Sequence, residues 1–122
     1  MSRTGACLLI ALAVASMEGC GPSGAPPGGS GNPAEGRTEV TRQQCGACHE
    51  IPGVQQASGL VGPPLEHFGR RTMIAGLLPN TPDNLVRWLR NPQAITPGNA
   101  MPDVGLTDRQ ARDIAAYLDT LQ

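Results

Sequence analysis

The 122-residue chain contains no lysine, and it has only one phenylalanine, one tryptophan and one tyrosine. Every basic residue is therefore an arginine, and the formal net charge is −1. No basic run and no interleaving of aromatic with basic residues is present, which excludes a nucleic-acid partner. The apolar run at residues 7–15 is far short of the ~20 residues that a membrane-spanning helix needs. No segment alternates with a period of two, so strands are not expected. Three aromatic residues make a thin core, and a folded unit of this size is marginal without a staple or a cofactor.

Glycine and proline are abundant instead, at 16 and 12 residues. They crowd into positions 21–36, where almost no apolar residue exceeds alanine in size. Such a stretch buries too little surface to offset its ordering entropy and reads as a flexible tether. Ahead of it, Arg3 and the short apolar run have the layout of an export signal. Two endings to that signal compete. Ala13-Val14-Ala15 fits an ordinary cleavage site and a soluble product. Met17-Glu18-Gly19-Cys20 resembles a degenerate lipobox, in which Cys20 becomes a lipidated first residue. Cysteine arithmetic favours the second, because soluble cleavage leaves Cys20 an unpaired thiol in an oxidising compartment. The expected organisation is a signal peptide at 1–19, a lipidated Cys20 with its tether at 20–36, and one folded domain at 37–122. Export to the periplasmic side of a bacterial membrane follows, with anchorage through lipid on Cys20.

Within the domain, helix signals are plain in two places. Thr81-Pro82-Asp83 supplies a cap, a proline at the first helical position and a first-turn acid. Leu85, Trp88 and Leu89 follow on one face before Asn91-Pro92 stops the helix. Thr107 and Gln110 have capping-box spacing, and Ala111, Ile114, Ala115, Leu118 and Leu121 form an apolar stripe. A first helix is expected over 38–48 and a shorter one over 72–78. Residues 51–70 and 92–105 read as long Gly/Pro loops. The fold class is all-α, with short helices and long loops that need something central to organise them.

That centre is indicated by Cys45-Gly-Ala-Cys48-His49. In a C-x-x-C-H segment two thiols three residues apart add across the vinyl groups of a porphyrin, and the next histidine becomes the proximal iron ligand. A bare Cys-x-x-Cys also fits a zinc half-site or a thioredoxin-like redox pair. Zinc needs a second half-site, and apart from His67 no Cys or His follows His49. The redox pair needs a βαβ context, which is absent. The expected cofactor is one covalent haem c on Cys45 and Cys48.

Three residues compete to be the sixth ligand. Met101 lies between Pro97 and Pro102 in a loop without helical periodicity, 52 residues after His49, far enough for the chain to wrap a porphyrin. Met73 sits in the expected short helix, where core packing accounts for it. His67 follows Gly62-Pro63-Pro64 and is a candidate for bis-His ligation or for a hydrogen bond at the haem rim. With His49 and Met101 as the pair, the iron is six-coordinate and no open position remains for peroxide or oxygen. The thioether also favours the ferrous form. Electron transfer follows, rather than catalysis on a small-molecule substrate.

From about Cys45 onward the sequence resembles class I cytochrome c, and more specifically the cytochrome c domain of bacterial cytochrome c oxidase subunit II. Carrying the resemblance are Gly62-Pro-Pro-Leu65, His67-Phe-Gly-Arg-Arg-Thr72, Leu78-Pro-Asn-Thr-Pro-Asp-Asn-Leu85, Trp88-Leu89, Asn91-Pro-Gln-Ala-Ile95, Pro97-Gly98 and Met101-Pro102. It implies a cytochrome c fold in which the first and last helices cross at Ile114, Tyr117 and Leu118. It further implies that the Pro63 carbonyl accepts the Nδ1–H of His49, that Arg71 pairs with a haem propionate, and that Trp88 lines the haem pocket. Thr41 stands where many relatives carry an aromatic residue at the helix crossing. No membrane helices or copper-site motif of an oxidase subunit precede the domain here, so a stand-alone domain behind signal and tether is expected.

The function implied is a respiratory electron carrier that donates to a terminal oxidase. The alternative is a small cytochrome c subunit of a periplasmic dehydrogenase or reductase complex. A haem sensor or peroxidase with a labile sixth ligand, and a binding module without haem, are the rivals from other classes. Without lysine, a ring of lysines cannot steer docking around a haem edge, so redox partners such as cytochrome c oxidase are met by weak steering or by tethering.

Overall fold

The computed structural model describes residues 31–122. The expected signal at 1–19, Cys20 and the tether up to residue 30 lie outside the described residues. Four helices are formed among the described residues: α1 (Pro33–Arg42), α2 (Pro82–Arg90), α3 (Pro92–Ile95) and α4 (Asp108–Asp119). Two-residue strands β1 (Met73–Ile74) and β2 (Leu78–Pro79) pair antiparallel, with Ile74 opposite Leu78. The architecture is helical, with this small hairpin a minor addition to the all-α expectation.

Helix α1 begins ahead of the expected boundary at Arg37 and ends before the expected Cys48. Asn32 caps it, its side-chain oxygen accepting from the N–H of Ala34 at 2.9 Å, and Pro33 and Glu35 complete the first turn. Residues 33–36, assigned above to the tether, are therefore helical. At the other end Gln44 takes a left-handed φ of 56°, which ends the helical path. A 3₁₀ turn, Cys45–Ala47, follows.

The face of α1 is poorly apolar, with Val40 its only large buried hydrophobic residue. It nonetheless packs along α4 as its main partner. Gly36 permits this, since a Cβ there would stand 1.9 Å from the Asp113 carbonyl oxygen and 2.8 Å from the Tyr117 Cβ. The two helices thus meet by close backbone approach. Polar ties add to it. The Asn32 N–H donates to Asp113 Oδ1 at 2.7 Å, and Gln110 Nε2 donates to Glu39 Oε2 at 3.0 Å. Both carboxylates are buried, but each is paired, Glu39 with Arg42 at 2.7 Å and Asp113 with Arg109 at 3.7 Å. Paired carboxylates of this kind are tolerated where lone ones are not.

Helices α2 and α4 form as their caps dictate. Thr81 accepts from the Asn84 N–H, and Thr107 and Gln110 close a full capping box. Leu85, Val86 and Leu89 of α2 and Ala111, Ile114, Ala115 and Leu118 of α4 are buried in one core with Phe68, Ile74 and Tyr117. Leu121 packs against that core from its edge. The short helix expected over 72–78 is absent. Ala75 (φ 50°) and Gly76 (φ 70°) take left-handed backbone, which no α-helix accommodates, and the chain turns there into β2. The expected loop at 92–105 contains the single turn α3, capped by Asn91, and that at 51–70 ends in a 3₁₀ turn, Phe68–Arg70.

Candidate functional site

The Cys45–His49 segment is set by its turn. The N–H groups of Cys48 and His49 both donate to the Cys45 carbonyl, at 3.2 and 3.0 Å, winding the two cysteines and the histidine into one turn. The loop that follows is laced back onto it. Gly59 N donates to Gly46 O at 3.0 Å, Gly62 N to Cys48 O at 2.8 Å and Leu65 N to Glu50 O at 2.8 Å. Tyr117 reaches from α4 to donate to the Pro52 carbonyl at 3.2 Å. Backbone groups of a loop without regular structure are thereby paired.

His49 is oriented from two directions. Its Nδ1 lies 2.7 Å from the Pro63 carbonyl, which can only accept, so Nδ1 carries the proton and the Nε2 lone pair is left free. Gly62 backs the ring so closely that a Cβ there would stand 2.3 Å from Cε1. Cys45 and Cys48 are not joined to each other by a disulfide. Burial pushes the Cys45 thiol above its ordinary pKa, and the neighbouring Cys48 adds to the rise.

Met101 is half-buried against the core in a segment with no secondary structure. Side chains hold its backbone: the Met101 N–H donates to Asn99 Oδ1 at 2.8 Å, and its carbonyl accepts from Gln93 Nε2 at 2.8 Å.

One cleft of about 600 Å³ joins these parts. Cys45, Cys48, His49, Pro63, Arg71, Trp88 and Met101 all border it, with Leu65, Phe68 and Ile74 supplying apolar wall. These seven residues thus meet at one place. Arg71 lies over the Phe68 ring, 5.4 Å from its centroid, and donates to the carbonyls of Pro64 and Glu66. The two rival ligands fare differently. His67 does not border the cleft; its Nδ1 lies 2.6 Å from Gln122 O, at the chain's other edge. Met73 borders the cleft from β1, where it is 42% exposed, so core packing does not account for it.

Two thiols, a free imidazole nitrogen and a thioether around an apolar cleft suit a haem, whose iron takes imidazole and sulfur ligands and whose vinyl groups take thiols. Among the described residues no group of three or more His, Cys, Asp and Glu side chains is arranged to hold a metal ion, as a zinc site would require. Gln93 and Asn99 were not singled out by sequence reasoning. Their hydrogen bonds run from side chain to backbone across several residues and leave no periodic trace.

Comparison with known proteins agrees with this geometry. The family model described as cytochrome c matches residues 33–122. The chain is 37% identical over 91 residues to cytochrome c oxidase subunit 2 of Alkalihalophilus pseudofirmus, covering 72% of this chain and 25% of that one. It is 33% identical over 87 residues to the subunit of the same name from Bacillus sp. (strain PS3), covering 68% and 24%. It thus spans about a quarter of the length of these two oxidase subunits. With cytochrome c2 of Rhodopila globiformis it shares 35% identity over 109 residues, 80% of this chain and 98% of that one.

Proposed function

The chain belongs to the cytochrome c family, which carries covalent haem c, and from that premise we propose a single-haem electron carrier ligated by His49 and Met101. Bound haem supplies one-electron chemistry at its iron. The residues of this chain do the rest. Cys45 and Cys48 hold the group through their sulfurs. His49, its Nδ1–H committed to Pro63, offers Nε2 to the iron. Met101 offers its thioether from the same cleft. The single observation that carries the reading is that a fixed imidazole and a side-chain-clamped methionine border one cleft with the two thiols. Arg71 offers a cation at the cleft edge for a propionate, and Trp88 closes a wall.

Likeness to cytochrome c oxidase subunit 2 supports a place in a respiratory chain with donation to a terminal oxidase. The domain works outside the cytoplasm, held at the membrane by lipid on Cys20, with the Gly/Pro-rich stretch ahead of α1 as spacer. No helix among the described residues is long and apolar enough to cross a membrane.

The test is the visible spectrum of the haem-loaded full chain in both redox states, with carbon monoxide added to the ferrous form. A ferrous form inert to carbon monoxide is the expected result. Rapid binding there would replace the carrier with a sensor or peroxidase.

Docking has its own expectation. Leu60, Val61, Leu77 and Val104 are exposed apolar residues, and Val61 and Val104 border the cleft together with Met73. With a net charge of −1 and no lysine, long-range steering has little to act on. The rate of electron transfer to an isolated oxidase should change less than about twofold between low and physiological salt, where charge-steered pairs slow steeply. Stopped-flow oxidation at graded ionic strength checks this.

A further inference from the structure

We propose that Gln93 is the positioning residue that keeps Met101 on the haem iron; the proposal rests on the reading of Met101 as the sixth ligand. Residues 96–107 have no regular structure to fix a ligand in space. Gln93 takes over that task from α3. Its Nε2 donates to the Asn99 carbonyl at 2.9 Å and the Met101 carbonyl at 2.8 Å, and its Oε1 accepts from the Gly98 N–H at 2.9 Å. One side chain thus serves backbone groups at three of four consecutive residues. The amide orientation is fixed by its partners, two carbonyls on one side and one N–H on the other.

Asn99 completes the clamp. It accepts from the Met101 N–H, and it donates to the carbonyls of Pro92 at 3.1 Å and Thr96 at 2.7 Å, tying the loop back to α3. Both backbone groups of Met101 are therefore held by amide side chains, one on each side. A thioether is a neutral, weak ligand, and its competitiveness against added ligands depends on how narrowly its position is fixed. Gln93 touches neither sulfur nor cleft; it acts through the Met101 backbone.

Gln93→Leu keeps the volume and removes all three bonds. Gln93→Glu is isosteric, keeps the acceptor for Gly98 and presents no donor to the two carbonyls at neutral pH. Each variant is compared with Met101→Ala in the haem-loaded full chain by imidazole titration of the ferric form. Both Gln93 variants should bind imidazole about tenfold or more tightly than wild type, within the range expected for losing a partner behind a metal ligand. The ferric sulfur-to-iron band should be present but lost at lower imidazole. Helical circular dichroism should stay unchanged, which a general loosening of the fold would not allow. If Met101→Ala abolishes the band while both Gln93 variants titrate like wild type, the positioning role is wrong and the ligand stands. If Met101→Ala leaves the band intact, ligand and clamp fall together. Should Gln93→Leu fail to accumulate, Gln93→Glu decides alone.

Discussion

Met101→Ala is expected to erase the ferric sulfur-to-iron charge-transfer band and to let the ferrous form bind carbon monoxide. Its reduction potential should fall by on the order of 0.1 V, a modest part of the roughly 0.8 V that axial ligands command. The size of the effect follows from what is left behind. His67 is turned away toward Gln122 and does not border the cleft. Among the described residues, the one other methionine bordering the cleft is Met73, on the hairpin and 42% exposed. Its strand is pinned by pairing with β2 and by Asn80, whose side chain donates to the Phe68 and Arg71 carbonyls at 3.2 and 3.0 Å. Met73→Ala should accordingly keep the band. A reversal, with the band surviving Met101→Ala and vanishing in Met73→Ala, would move the ligand to the hairpin.

The second large effect is on stability. Gly36→Ala replaces a helical glycine with the best helix former, which in an open helix would stabilise by about 1 kcal/mol. Here the sign should reverse. The new Cβ falls 1.9 Å from a backbone oxygen of α4, which cannot move as a flexible side chain would. Separating α1 from α4 also strains the Asn32–Asp113 and Gln110–Glu39 bonds. Overpacking of this kind costs about 1–3 kcal/mol, and with those bonds the upper end applies. Gly36→Val should cost more still. Urea unfolding of the haem-loaded chain, followed by circular dichroism, measures both; a Gly36→Ala variant as stable as wild type would show that the helices part without penalty.

Those expectations draw on features of unequal legibility. The start of α2 was plain because Thr81, Pro82 and Asp83 state it locally, and α4 because Thr107 and Gln110 cap an apolar stripe. The Cys45–His49 segment was plain because its chemistry depends on spacing alone. The start of helix α1 is not legible from the sequence, although Asn32-Pro33-Ala34-Glu35 carries the same cap logic as residues 81–83. The surrounding glycine and proline masked it, and its buried face has too few apolar residues to give a periodic signal. The hairpin is hidden for a different reason: Met73-Ile74-Ala75 favours helix locally, and the turn depends on Ala75 and Gly76 adopting positive φ. The amide clamp around Met101 was invisible because each bond joins a side chain to a backbone group chosen by the fold.

The crossing of α1 and α4 has a topological meaning as well. Every described residue bordering the cleft, from Gln43 to Val104, lies between these helices in sequence. Their pairing, sealed by a bond between residues 81 apart, closes one loop around the cleft like a clasp. The entropy of closing so long a loop is only slightly greater than for half its length, yet contacts so distant in sequence form slowly. Once the clasp shuts, α1 and α4 hold the intervening chain, cleft and all, in one closed loop.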